Sequence, residues 1–261
     1  MTSPMPALFI SHGSPMTAVD PGPAGAAWAA LGRELGHPRA IVVASAHWET
    51  ELPMVTGSAA PRTIHDFGGF PDVLYTLRYP APGAPDVAAE TVALLRDAGL
   101  AAGIDGSRGL DHGAWVPLLH MLPQADVPVV QLAIQPARGA AHHLALGAAL
   151  APLRERGVAI VGSGHVTHNL RDWMTHRRHP GDLPYVARFA EWVADALAAN
   201  DRDALANWRE QAPDALRAHP TDEHFLPLLV AYGAAGERPR VSRVHRGIEG
   251  GALAMDAYRF D

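Results

Sequence analysis

Neither cysteine nor lysine occurs in this chain of 261 residues, and the two absences exclude whole classes of chemistry. Without cysteine there can be no disulfide, thiolate nucleophile, iron–sulfur cluster or cysteine zinc site. A metal would have to take its ligands from His, Asp and Glu. All 21 cationic residues are arginine, which excludes a Schiff-base lysine, a P-loop lysine and a lysine general base. Base chemistry therefore falls to His, Asp, Glu or Tyr. No run approaches the roughly 20 apolar residues of a membrane span. The N-terminal stretch MTSPMPALFISHGSP also lacks the basic start and the apolar length of a signal peptide, so a soluble, cytoplasmic protein with no membrane partner is expected. The formal charge is −6, and Arg177-Arg178 is only a short basic spot. A nucleic-acid partner, which calls for a clustered basic face, is not expected. Nothing in the sequence fixes an oligomeric state.

What is present is a core-forming composition, 48% hydrophobic, in a length that suits one domain spanning residues 1–261. Apolar, Val/Ile-rich runs recur at 7–11, 40–46, 127–134 and 158–164. Unbroken runs of this kind suit strands buried on both faces of a parallel sheet. Helical spacing fills the intervals: Val87, Thr91, Leu94 and Leu95 in 84–98; Trp115, Leu118, Leu119 and Leu122 in 114–122; Leu146, Leu150 and Leu153 in 142–153; and Tyr185, Phe189, Trp192, Val193 and Leu197 in 185–199. The expected fold is α/β, a single domain with a mainly parallel central sheet flanked by helices. Near the C-terminus, Gly250-Gly251 between two strand-like runs predicts antiparallel edge strands. Segments 57–72 and 172–184, rich in Gly, Pro, His and Arg, read as ordered loops.

Four histidines, His12, His47, His168 and His224, sit where a strand or loop gives way to the next element. Open α/β sheets put their ligands at the carboxyl ends of their strands. One histidine in such a place is more often a hydrogen-bonded structural residue; several together point to a metal site. His224 lies beside Glu223 and shortly before Pro227, a residue tolerated only in a helix's first turn. Glu223 is the best carboxylate candidate, although interaction with the helix dipole accounts for it more simply. Gly162 and Gly164 predict an irregular loop ahead of His165 and His168, with His168 in the site and His165 on its rim. His112, behind Asp111, is either a local hydrogen-bonding residue after a helix cap or an acid–base group. His65-Asp66-Phe67 opens a turn that resembles a substrate-facing loop with aromatic walls.

Taken in order, MPALFISHGSPM, IVVASAHWE, TIHDFGGFP, YPAPG, GLDHGAWVPL, VPVVQLAI, SGHVTHNL and EHFLPLL resemble the class III extradiol ring-cleavage dioxygenases of the LigB-type superfamily. The similarity is to the DOPA-dioxygenase-type branch, related to the catalytic subunit of protocatechuate 4,5-dioxygenase. It runs from the N-terminus to about residue 230 and is loose over residues 172–220. The resemblance implies that His12, His47 and His224 hold a non-haem divalent metal, with His168 as a fourth ligand or the acid–base residue. It also implies that His112 is a second catalytic histidine and that His65 and Asp66 belong to the substrate loop; His165, on the rim, departs from the relatives' pattern and is expected to meet the substrate as well. In the wider superfamily the third ligand is usually a carboxylate, whereas here His224 occupies that position. The reaction implied is extradiol cleavage of a catecholic, DOPA- or protocatechuate-like substrate by O₂. Such chemistry needs a redox-active ion such as Fe(II), while the resemblance associates the branch with zinc as well as iron, so Zn(II) is a further expected occupant of the isolated protein. Two rivals remain at this point: a zinc-dependent hydrolase using the same ligands and a metal-bound water, and a binding protein without turnover.

Overall fold

The computed structural model describes residues 4–261. Its centre is an eight-stranded sheet built from β1 (Ala7–Ser11), β2 (Ala40–Glu49), β3 (Met54–Thr56), β4 (Gly103–Asp105), β5 (Val129–Ile134), β6 (Val158–Gly164), β7 (Val241–His245) and β10 (Ala257–Phe260). The spatial order is β4-β3-β5-β2-β6-β1-β10-β7. Strands β5, β2, β6 and β1 form the parallel heart. These are the four apolar runs. Each alternates its side chains between two cores: Ala7, Phe9, Val42, Ala44 and Ile160 face one side, while Leu8, Ile10, Ile41, Val43 and Val161 face the other. Helices Pro85–Asp97, Gly139–Glu155, Pro184–Ala198 and Leu226–Ala234 cover the first face; Gly22–Leu35 and His112–Met121 cover the second. Two-sided cover is why the strands read as unbroken hydrophobic runs rather than alternating ones.

The C-terminal edge is antiparallel, as expected, but it is made by β10 and β7. The Gly250-Gly251 turn instead closes a separate two-stranded unit, β8 (Ile248–Glu249) with β9 (Leu253–Ala254). Both glycines have positive φ, which that tight turn requires. Three other readings need correction. Part of the 172–184 loop is helical, because Asn169 caps a helix at Leu170–His176 and its side chain accepts from the Asp172 N–H. His47 lies inside β2 rather than after it.

The third correction bears directly on the site. Gly162 and Gly164 belong to buried strand β6, not to an irregular loop. Their missing side chains admit the backbone of the segment that carries His224. A Cβ on Gly162 would lie 2.0 Å from the Pro227 carbonyl oxygen, and one on Gly164 would lie 2.1 Å from that of His224. The Leu226–Ala234 helix and the turn before it thus sit directly on the sheet. Close approach, not turn formation, is what these glycines provide.

Candidate active site

His12 leaves β1, His47 lies inside β2 two residues before its end and His224 precedes the helix lying on β6, so three separate elements deliver three imidazoles to one place. One nitrogen of each lies within 4.8 Å of the other two. The Nε2 atoms of His12 and His47 are 3.0 Å apart. Two nitrogens bound to one ion at about 2.0–2.1 Å each lie no more than about 4.2 Å apart, so this spacing fits a shared cation.

The surrounding hydrogen bonds explain why lone pairs, and not protons, converge. Ser163 Oγ donates to the Gly113 carbonyl and therefore accepts from Nδ1–H of His12. Glu223 Oε1 accepts from Nδ1–H of His224 at 2.9 Å. With Nδ1 protonated in both rings, Nε2 is a bare acceptor. The Nε2 of His224 is buried and has no hydrogen-bond partner. A buried acceptor left in that state costs about 1–3 kcal/mol, and a divalent cation is the partner that would satisfy it. Burial, reinforced by the neighbouring imidazoles, holds His12 and His224 well below the ordinary histidine value and lowers His47 to about 4. The rings are therefore neutral, as ligation demands. Glu223 orients His224 and does not itself join the three converging nitrogens.

His168 stands on the flank of this group. Its ring stacks on His224 with centroids 3.4 Å apart and an interplanar angle of 11°, while its Nδ1 lies 3.9 Å from Glu223 Oε1. Burial first, then adjacent histidines, hold it well below the usual value. On the opposite flank His112 lies 3.9 Å from His47, centroid to centroid. Asp66 grips it twice: Oδ2 accepts from the ring Nδ1 and Oδ1 from the backbone N–H, both at 2.9 Å. Burial alone would raise the Asp66 pKa, but the His112 hydrogen bonds and charge outweigh it and bring it to about 2. Asp66 is thus a carboxylate that leaves His112 Nε2 free. Asp111 does cap its helix, accepting from the Ala114 N–H.

Two residues expected to meet substrate each commit a ring nitrogen to the protein's own backbone. His165 is buried, not on a rim, and its Nε2 accepts from the Gly13 N–H at 3.0 Å. It braces the turn after His12. His65 bonds the Leu77 carbonyl through Nε2 and packs among Phe67, Tyr75 and Trp115. It is Phe67 from the same loop that reaches the site, standing edge-on to His112 at 5.7 Å.

Sequence reasoning missed Ser163 and a buried network around Asp111. Asp111 accepts from Ser45 Oγ, Gln131 Nε2 and Arg108, and Arg108 also donates to the His47 carbonyl. This network ties the strand bearing His47 to the helix bearing His112. A polar residue in a strand that should be fully buried, Ser45, Gln131 or Ser163, was the available signal, since such groups must find partners.

Comparison with known proteins bears on what these histidines do. Residues 6–252 match the family described as the catalytic LigB subunit of aromatic ring-opening dioxygenase. Among similar proteins, 4,5-DOPA dioxygenase extradiol of Beta vulgaris is 43% identical over 97% of this chain and 95% of its own. The Escherichia coli K12 protein of the same name is 42% identical over 96% and 93%. The crystal structure of an uncharacterized Escherichia coli K12 protein superimposes with a TM-score of 0.80 at 34% identity, covering 98% of this chain and all of that one. A match of this extent separates the dioxygenase from the hydrolase and from the inert binding protein. The chain belongs to the LigB family and is an aromatic ring-opening dioxygenase.

Proposed function

We propose that the substrate is a catechol, cleaved outside its diol in the manner that the relatives' name, 4,5-DOPA dioxygenase extradiol, implies, and that His12, His47 and His224 hold the metal. The observation that carries the reading is the convergence of three neutral imidazoles, two of them with Nδ1 committed to Ser163 and Glu223. When bound, a divalent ion lowers the pKa of the catechol hydroxyls, and if redox-active, as Fe(II) is and Zn(II) is not, it passes electron density to O₂.

The protein's own groups manage position and protons. His112 Nε2, freed by the Asp66 clamp, takes the proton of one catechol hydroxyl and returns it later. His168 acts from the other flank as the second acid–base group, through the ring nitrogen opposite the one beside Glu223. Burial keeps His168 neutral and ready to accept, and an acid–base histidine typically contributes on the order of 10²–10⁴-fold. Phe67 closes one wall against water and gives the ring an edge to pack on. Residues 1–261 act as one catalytic domain, since ligands from both ends of the chain meet on one sheet. Among the described residues no helix is long and apolar enough to cross a membrane; we assign the enzyme to the cytoplasm, whose reducing conditions suit Fe(II).

Metal-stripped protein reloaded anaerobically with Fe(II) or with Zn(II) provides the test. Oxygen uptake and a yellow ring-fission product with Fe(II), using DOPA or protocatechuate, and neither with Zn(II), is the expected result. Equal uptake with zinc, or none with iron across a broad catechol panel, overturns the reading.

A further inference from the structure

Beside His168 and Glu223 opens a cavity of about 430 Å³, whose wall continues through Leu170 and Arg171 to Thr221. Arg171 is the only cation lining it. No carboxylate among the described residues pairs with its guanidinium, because the nearby acids are already engaged. Asp172 pairs with Arg217 at 2.8 Å, and Glu223 holds His224. Arg108, nearer to His47, is neutralised by buried Asp111. Elsewhere the surroundings of the histidine centre are acidic: Asp66 flanks His112, and Glu223 is close enough to Glu49 to disfavour its ionisation, an effect second to burial. An anionic substrate therefore meets repulsion unless one cation answers it.

The backbone carrying Arg171 is pinned. Asn169 caps the helix, its amide donates to the Arg217 carbonyl at 2.7 Å, and His168 N–H donates to the Ala218 carbonyl at 2.8 Å. Leu170, 48% exposed, adds an apolar side chain to the same cavity wall. A planar guanidinium pairs with a carboxylate through two parallel hydrogen bonds, with directional selectivity that a point charge lacks.

From this arrangement we propose that Arg171 is a specificity-determining residue that anchors a carboxylate on the substrate's side group while the diol occupies the histidine centre. The enzyme accordingly prefers carboxylate-bearing catechols over neutral ones. The inference rests on the catechol reading above.

Its test compares two catechols, 3,4-dihydroxyphenylalanine and 4-methylcatechol, in wild type, Arg171→Gln and Arg171→Lys, with Fe(II)-loaded protein. Steady-state kinetics are accompanied by anaerobic calorimetric binding of each catechol. Arg171 is exposed, so both variants fold. Arg171→Gln is expected to lose roughly 10- to 100-fold in kcat/KM for the carboxylated catechol, mostly through KM and matched by a weaker anaerobic Kd, as befits one charge-assisted hydrogen-bonded pair. It stays within about twofold for 4-methylcatechol, and Arg171→Lys falls between. Equal losses for both catechols, or no loss for either, overturn the role of Arg171 while leaving catechol cleavage intact. Wild type that binds and cleaves neither catechol overturns the functional reading, and this inference with it.

Discussion

Adding one methyl group at Gly164 tests how the site is assembled, because that glycine touches no metal, substrate or catalytic group directly. In Gly164→Ala the new Cβ would lie 2.1 Å from the His224 carbonyl oxygen, 3.0 Å from its carbonyl carbon and 3.3 Å from Pro227 Cγ. Moving the first contact out to the 3.4 Å of ordinary van der Waals separation requires a displacement of about 1.3 Å, and both partners are backbone. Overpacking of this kind costs typically about 1–3 kcal/mol, and a domain of this size loses about 2–4 °C of Tm for each kcal/mol. The functional effect should be larger than the thermal one. Metal–ligand distances tolerate only about 0.2 Å, and a misplacement near 1 Å costs on the order of 10²-fold in rate. The variant should therefore purify folded, a few degrees less stable and poor in metal. Calorimetry, metal analysis by mass spectrometry and oxygen uptake would be read together, with Gly106→Ala as control, since a Cβ there meets nothing within 4 Å. Normal metal content and turnover in Gly164→Ala would refute the argument that helix-on-strand contact positions His224.

On the proposed ligand assignment, His224→Ala should come out folded but metal-poor, and full occupancy on metal analysis would shift the third ligand to Glu223. His168→Ala should keep its metal and lose on the order of 10²–10⁴-fold in kcat; metal loss instead would make His168 a ligand. Stability should fall in mild acid because of two buried histidines outside the metal centre. His143 donates through Nδ1 to the Gly139 carbonyl and accepts from the Gln135 N–H, while His219 bonds the Val166 carbonyl, and burial lowers their pKa values to about 4 and about 3. Below the unfolded value near 6.5 the unfolded chain binds the proton first. Stability is therefore full above that pH and is lost as pH falls toward 4, at about 1.4 kcal/mol per pH unit for each histidine. Urea unfolding between pH 7 and 5 measures it, and a flat profile would contradict the account.

By itself the sequence determined what repeats locally or follows from composition. The four parallel strands and the helices at 85–97, 139–155 and 184–198 were legible because burial on both faces imposes unbroken apolar runs and helix faces impose a 3.6-residue period. The absence of cysteine and lysine confined ligands and bases to a few residue types, and histidines at strand ends marked the correct edge of the sheet. Tertiary structure decided which histidines converge. His12, His47, His112, His168 and His224 gather with His165 packed against them, its Nε2 taken by the Gly13 N–H, whereas His65 bonds Leu77, although in sequence these histidines look alike. Sequence spacing says where a side chain sits along its own element; inter-element distance depends on how closely elements pack. Here that was decided by two absent side chains, Gly162 and Gly164, whose reading as loop residues was wrong because a glycine's purpose lies in what approaches it. The protonation pattern followed the same logic, since Ser163, Glu223 and Asp66 fix the tautomers of His12, His224 and His112 through contacts that only the folded chain creates.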